Sequence, residues 1–318
     1  MRAIRFDGEQ ARLEEVDFEP RPGEAVVKVR SVGVCNTDLE ILRGYAGFRG
    51  TLGHEFVGEV VEARDESLVG KRVVGEINCG CGVCELCVSG DPRHCPDRTV
   101  LGIVGRDGAM ADFMSLPEGN LLVVPDRVPD RHAVFVEPLA AACEILDQVT
   151  VGPGSRVAVV GDGKLGLLIA QVVATTGADM TVVGKHAGKL EILAARGIRT
   201  ALVDVFDAAV RFDVVVEASG SARGFAFAQR IVRPRGTIVL KSTIHGDVPF
   251  DATSLIVNEV TLVGSRCGRF GPALDLIASG RVDVEPLVSR VLPLGAGASA
   301  FDVAKEPGVL KVILETAM

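Results

Sequence analysis

Four cysteines stand at Cys81-x2-Cys84-x2-Cys87-x7-Cys95. Four thiolates at this spacing close a tetrahedral shell around zinc with no open position, the structural kind of site. Gly80, Gly82 and Gly90 let the intervening loop turn tightly. An iron–sulfur cluster also takes four cysteines, and four free buried thiols are a third reading; the spacing favours zinc. Cys79 is one more thiol, two residues ahead of the first ligand.

A second pattern is GDGKLG, with Gly161, Gly163 and Gly166 as its glycines and Lys164 and Leu165 between the last two. It follows the apolar run RVAVV and opens an apolar helical stretch, the context a dinucleotide-binding turn requires. Gly161 makes the tight turn, Gly163 admits a pyrophosphate, and Gly166 lets helix pack on strand. A helix N-terminus there offers free N–H groups to the phosphates. A plain tight turn in an α/β sheet is the blander alternative.

The residue that meets the adenine ribose is expected at the end of the next strand, where NAD-specific sites carry Asp or Glu. Here the sequence is VVGKHAGK, so Gly184 holds that position and Lys185, His186 and Lys189 follow. Without the carboxylate a 2′-phosphate is not repelled, and the cations can bind it. NADP(H) is therefore the expected preference over NAD(H), unless these are solvated charges at a helix start.

A third set is scattered. GVCNTDLE supplies Cys35, Thr37, Asp38 and Glu40; GHEFVGEV supplies His54 and Glu55; VEPLAA supplies Glu137. Neither composition nor spacing joins these residues.

The elements that must position them fall into two textures. Residues 1–135 read as short alternating or β-branched runs (ARLEEVDF, EAVVKVRSVGV, FVGEVVEA, KRVVGEI) broken by Gly, Pro and charged turns, with little helical period. From about 140 the pattern changes. LAAACEILDQ has helical composition, then near-continuous apolar strands recur at 156–160, 179–183, 200–203, 212–218, 236–240 and 259–263. Helical stretches at 164–176, 187–196 and 221–232 alternate with them, the rhythm of a doubly wound parallel sheet. After 267 come a helix (GPALDLIASG) and two strand-like pieces, too few to make a domain.

A chain of 318 residues, 47% hydrophobic and 24% charged, has the balance of a globular protein of about two domains. Glycine is unusually frequent, 37 residues, which demands many tight turns. The net charge of −8, with no Trp and one Tyr, disfavours nucleic acid. No uncharged apolar run is long enough to cross a bilayer, and MRAIRFDGEQ lacks the apolar core of a secretory signal. The cytoplasm is the expected compartment, where eight cysteines are not expected to pair as disulfides.

The order GVCxTD, then GHExxGxV, then the four-cysteine loop, then EP ahead of strand–GxGxxG–helix resembles the zinc-dependent medium-chain alcohol dehydrogenase family. The likeness covers essentially the whole chain and is nearest in motif to the polyol, threonine and glucose dehydrogenase branches. It implies an α/β fold of two domains. One is a GroES-like β catalytic domain over 1–142, completed by 268–318; the other is a Rossmann domain over 143–267. It implies two Zn2+ per chain, one catalytic and one structural. Cys35 and His54 become catalytic-zinc ligands, Glu55 binds the metal or stands beside it, and Glu137 binds directly or through water. Asp38 orients His54.

Thr37 relays the alcohol proton, and Glu40 stands where classical members carry a His in that relay. Lys311 matches a basic position that contacts the cofactor pyrophosphate, and Glu217–Gly220 a turn near the nicotinamide ribose. The implied reaction moves hydride between NADP(H) or NAD(H) and a secondary alcohol, polyol or sugar, or the corresponding carbonyl. The implied assembly is a homodimer or homotetramer, with 259–263 a candidate edge strand. The loop from Tyr45 to Leu52 is shorter than relatives carry, and it lines the substrate cleft in the family. A zinc-free quinone or enone-type reductase and a non-catalytic nicotinamide-cofactor-binding protein are the alternatives.

Overall fold

The computed structural model describes residues 1–243, 248 and 251–316. Two compact units emerge. The first holds Met1–Glu137, Phe270–Ala278 and Val284–Met318; the second holds Pro138–Arg269 and Ser279–Asp283.

In the first unit the chain forms β1 (Arg2–Phe6), β2 (Ala11–Glu15), β3 (Ala25–Gly33), α1 (Asn36–Ile41), β4 (Gly50–Thr51) and β5 (Glu55–Glu62). Next come β6 (Arg72–Gly75), β7 (Asn78–Cys79), α2 (Glu85–Val88), β8 (Thr99–Leu101), β9 (Gly105–Arg106), β10 (Phe113–Leu116), β11 (Leu121–Val123) and α3 (Asp130–Ala133). The helix α4 (Val136–Gln148) follows and begins three residues earlier than its composition suggested. Pro138 fits in its first turn because the missing N–H would have no intrahelical partner there.

The second unit is built from β12 (Arg156–Val160), α5 (Lys164–Ala174), β13 (Asp179–Gly184), α6 (Ala187–Ala194), β14 (Arg199–Leu202), β15 (Phe212–Glu217), α7 (Ala222–Ile231), β16 (Val232–Leu240), α8 (Ala252–Val257) and β17 (Thr261–Gly264). The chain then adds α9 (Phe270–Ala278), β18 (Val288–Pro293), α10 (Ser299–Lys305) and β19 (Lys311–Glu315) to the first unit.

The main sheet of the first unit runs β11-β6-β5-β3-β19-β18, with β10 also pairing β3. Its centre is β3, AVVKVRSVG, which turns Lys28 and Arg30 outward and buries the rest. β5 and β19 flank it, both antiparallel to it. Val27, Val32, Val57, Val60, Ile313 and Leu314 are fully buried along these three strands, each side chain contributing roughly 1.5–3 kcal/mol of burial.

The sheet of the second unit is six-stranded and wholly parallel, in the order β14-β13-β12-β15-β16-β17. Counted from its first strand this is 3-2-1-4-5-6, the doubly wound dinucleotide-binding order. Val157, Val159, Val182, Val215, Val216 and Val239 are buried, which is why the strands read as continuous apolar runs. Phe206 stacks on Phe212 and meets Phe227 edge-on, closing the core beside α7. β17 is an edge strand of this sheet.

Candidate active site

Strand register assembles the first cluster. Gly33, the last residue of β3, pairs with Glu55, the first of β5. Cys35 therefore lies just past the end of one strand and His54 just before the start of its neighbour. The ligand atoms of Cys35, His54 and Glu55 lie within 4.8 Å of one another. A Cβ at Gly33 would overlap the Glu55 carboxylate and the Val134 side chain, so a larger residue at this strand end would have to push them aside.

α1 holds the next layer. Asp38 is completely buried and its Oδ2 accepts the backbone N–H of Cys35 at 2.8 Å, fixing the turn into the helix. Its Oδ1 faces His54 Nδ1 at 3.4 Å. Both atoms are buried, and neither makes a hydrogen bond among the described residues. With Nδ1 turned to Asp38, Nε2 is left to point at Cys35 and Glu55. Burial opposes the imidazolium, but the charges of Asp38 and Cys35 outweigh it and hold the His54 pKa well above the ordinary 6.5. An anionic pocket that draws a proton onto its imidazole will also draw a cation. Thiolate, imidazole and carboxylate form a donor set that fits zinc.

Lys311 lies fully buried beside the same cluster. β19 pairs with β3 so that Ile313 faces Gly33, which brings Lys311 level with Cys35. Its ammonium is ion-paired with Glu55 Oε2 and lies 5.5 Å above the Phe135 ring. Lys311, which the resemblance makes a pyrophosphate contact, has its ammonium against the Glu55 carboxylate in this structure. Glu137, half-buried in the first turn of α4, is not among the three grouped ligands. Burial and the neighbouring Glu55 push its carboxyl up to about 7, against the pull of His54 and Lys311.

Thr37 Oγ1 accepts from Cys35 Sγ at 3.7 Å, beside the cluster. Glu40 is farther along α1, where its carboxylate accepts from Arg43 Nη1 at 2.8 Å.

The four cysteines of the second pattern do converge, with all four sulfurs within 4.8 Å. Backbone N–H groups of Val83 and Cys84, and then the Cys95 thiol, hold Cys81 down to about 7, while burial drives Cys87 up to about 12. Thiols so crowded share negative charge unevenly until a cation neutralises it, and four sulfurs fit zinc. Cys79 lies buried on β7, its sulfur accepting from Asn120 Nδ2 at 3.7 Å.

In the second unit the glycine-rich turn sits at the carboxyl end of β12. Gly161 has φ +125° and a Cβ there would lie 2.6 Å from the Ala218 carbonyl oxygen. A Cβ on Gly163 would meet nothing within 4 Å, so the backbone is open at the start of α5, where Lys164, Leu165 and Gly166 form the first turn. Gly184 ends β13, and Lys185 and His186 are exposed beyond it, with Lys189 half-buried on α6. Glu217 ends β15 and accepts from Ser219 N at 2.8 Å and Ser219 Oγ at 2.6 Å.

A doubly wound sheet with an open glycine turn, and a thiolate–imidazole–carboxylate cluster in the other unit, define a class: metal-dependent oxidoreductases that use a dinucleotide. Residues 21–126 match the alcohol dehydrogenase GroES-like domain, and residues 165–279 the zinc-binding dehydrogenase domain. The chain is 30% identical to a sorbitol dehydrogenase of Halalkalibacterium halodurans, over 93% of each chain. It is 33% identical to an L-threonine 3-dehydrogenase of Chelativorans sp., over 92% of each. Among solved structures it resembles a zinc-binding dehydrogenase of Sinorhizobium meliloti bound to NADP (29% identical, TM-score 0.89, 99% of this chain and 98% of that one). It also resembles the alcohol dehydrogenase of Thermus sp. ATN1 (28% identical, TM-score 0.90, 99% and 100%). The chain belongs to the zinc-dependent medium-chain dehydrogenase family, a GroES-like unit joined to a Rossmann unit. No helix among the described residues is long and apolar enough to cross a membrane.

Proposed function

We propose that this chain moves hydride between a nicotinamide cofactor and a secondary alcohol, polyol or sugar, or the matching carbonyl, with NADP(H) preferred to NAD(H). The observation that carries the reading is the register-built cluster of Cys35, His54 and Glu55. The similarity to sorbitol and L-threonine dehydrogenases supports the substrate class. Cys35 and His54 hold a catalytic zinc, with Glu55 or Glu137 nearest its remaining positions, and Cys81, Cys84, Cys87 and Cys95 hold a structural one.

The catalytic metal supplies Lewis-acid polarisation of the substrate oxygen, and the nicotinamide supplies or accepts the hydride. Thr37 relays the hydroxyl proton, its Oγ1 taking that proton as its own passes on, and Glu40, paired with Arg43, is the acceptor proposed beyond it. The glycine turn from Gly161 to Gly166 cradles the pyrophosphate. Missing acid at Gly184 and the cations Lys185, His186 and Lys189 support NADP(H). A homo-oligomer is supported by the edge position of β17, where Leu262 is 39% exposed, and by exposed Ile256 and Val257 just before it on α8.

Elemental analysis is expected to find two zincs per chain, with turnover on an alcohol and polyol panel in the presence of either cofactor. Cys95→Ser is expected to lose one zinc and to lower the thermal midpoint by several degrees, because three thiols no longer saturate the loop. Turnover that survives complete zinc removal would instead favour an enone-type reductase. Cofactor binding without turnover on any substrate would favour a binding protein.

A further inference from the structure

Asp162 lies between the first two glycines of the dinucleotide turn, yet its side chain works elsewhere. Its Oδ2 accepts the backbone N–H groups of both Lys185 and His186 at 2.6 Å. His186 Nδ1 stands 3.1–3.2 Å from the two carboxylate oxygens. The residue is 7% exposed. A Cβ on Gly184 would lie 2.7 Å from Asp162 Cβ and Oδ2, so the carboxylate occupies the space a side chain at 184 would need. Glycine at 184 and aspartate at 162 are thus one arrangement: the acid missing from the end of β13 is replaced by one reaching across from β12.

That place matters because an adenine ribose meets the end of this strand in a doubly wound sheet. Two adjacent backbone N–H groups form a slot for an anion. Here the slot is filled by the chain's own carboxylate. A ribose 2′-hydroxyl can donate to the remaining lone pairs of Oδ1, whereas a 2′-phosphate meets a like charge and finds those N–H groups taken. Burial opposes the carboxylate's charge, but the donors from His186 and Lys185 outweigh it and hold the pKa below the ordinary 3.8, so the group is charged near neutrality.

We infer that Asp162 shifts cofactor selectivity toward the free ribose diol, opposing the 2′-phosphate that Lys185, His186 and Lys189 attract. The inference rests on nicotinamide binding by this unit but not on which cofactor prevails.

The test is titration of NADPH and NADH by fluorescence into the intact protein, as wild type, Asp162→Asn and Asp162→Ser. Both variants are expected to bind NADPH about tenfold more tightly, with NADH changed less than about threefold, the size of one removed charge contact near a surface. The change in the NADH-to-NADPH ratio is expected to shrink in 1 M salt, where the Debye length is about 3 Å. An unchanged ratio, or equal weakening of both cofactors in both variants, overturns the inference and leaves Asp162 a brace of the turn. If wild type binds NADH more tightly but the ratio still shifts toward NADPH in the variants, the NADP(H) preference fails and the role of Asp162 stands.

Discussion

Replacing His54 with Ala, or Cys35 with Ser, is expected to take one zinc from the protein and to lower kcat/KM by roughly 10³- to 10⁵-fold. That factor corresponds to about 4–7 kcal/mol at about 1.36 kcal/mol per tenfold, the scale on which a Lewis acid acts at a reacting oxygen. Each substitution removes one of three donors held within 4.8 Å, and two donors do not keep zinc against solvent. The second zinc should remain, because the four-cysteine loop shares no ligand with this cluster. Cofactor affinity should also remain, since the glycine turn belongs to the other unit. A variant that keeps both zincs, or more than about a tenth of the activity, would dismiss the cluster as the reacting centre.

Lys311→Met is expected to destabilise the protein by about 3–5 kcal/mol, the usual consequence of stranding one member of a buried ion pair. Met matches the length of the lysine stem, so little packing over Phe135 is lost and the charge is what changes. Glu55 then keeps a buried carboxylate without its ammonium. Adding Glu55→Gln removes that charge and should recover most of the loss, which a double-mutant cycle in urea would read directly. The pH dependence follows from the lysine. Burial would lower its pKa, but Glu55 and then Cys35 reverse this and raise it above 10.5. A folded-state pKa above the unfolded value stabilises below the unfolded one, so the contribution is complete beneath pH 10.5 and fades as pH climbs through the folded value. A Lys311→Met protein as stable as wild type would show that the pair contributes nothing.

Much of this was legible in the chain itself. The strands of the second unit could be placed to within a few residues because its central strands β12, β13 and β15 are buried almost throughout and their apolar runs are unbroken. Cys35, His54 and Glu55 could be named but not joined by spacing; what joins them is the antiparallel register of β3 with β5, and a period-two pattern does not print its partner. α1 went unread because six residues carry too little helical period. Its signal was local: Asp38 three residues after Cys35, returning to cap that residue's N–H.

Lys311 is instructive in another way. A lysine inside VLKVIL, flanked by apolar residues, asks for a buried carboxylate, and Glu55, 256 residues away in the chain, is that carboxylate. The position of Asp162 was readable as a letter between two glycines, but its reach to 185 and 186 depends on β12 lying beside β13.

β19 pairs on one side with β3 and on the other with β18, in the interior of its sheet. It is also the last strand among the described residues. The second unit is almost continuous in sequence and ends at Asp283, ahead of β19, whereas Glu55 waits 256 residues for Lys311. At ribosomal speeds of about 5–20 residues per second, that wait is roughly 10–50 s. During it the stretch of β3 from Ser31 to Gly33 lacks its β19 partner and a carboxylate destined for burial lacks its counter-ion. The four cysteines lie within residues 81–95 and take no ligand from β19. Biosynthesis therefore imposes an order of metallation: the structural zinc can be captured on the nascent chain, while the reacting centre acquires its finished surroundings only as β19 threads into place.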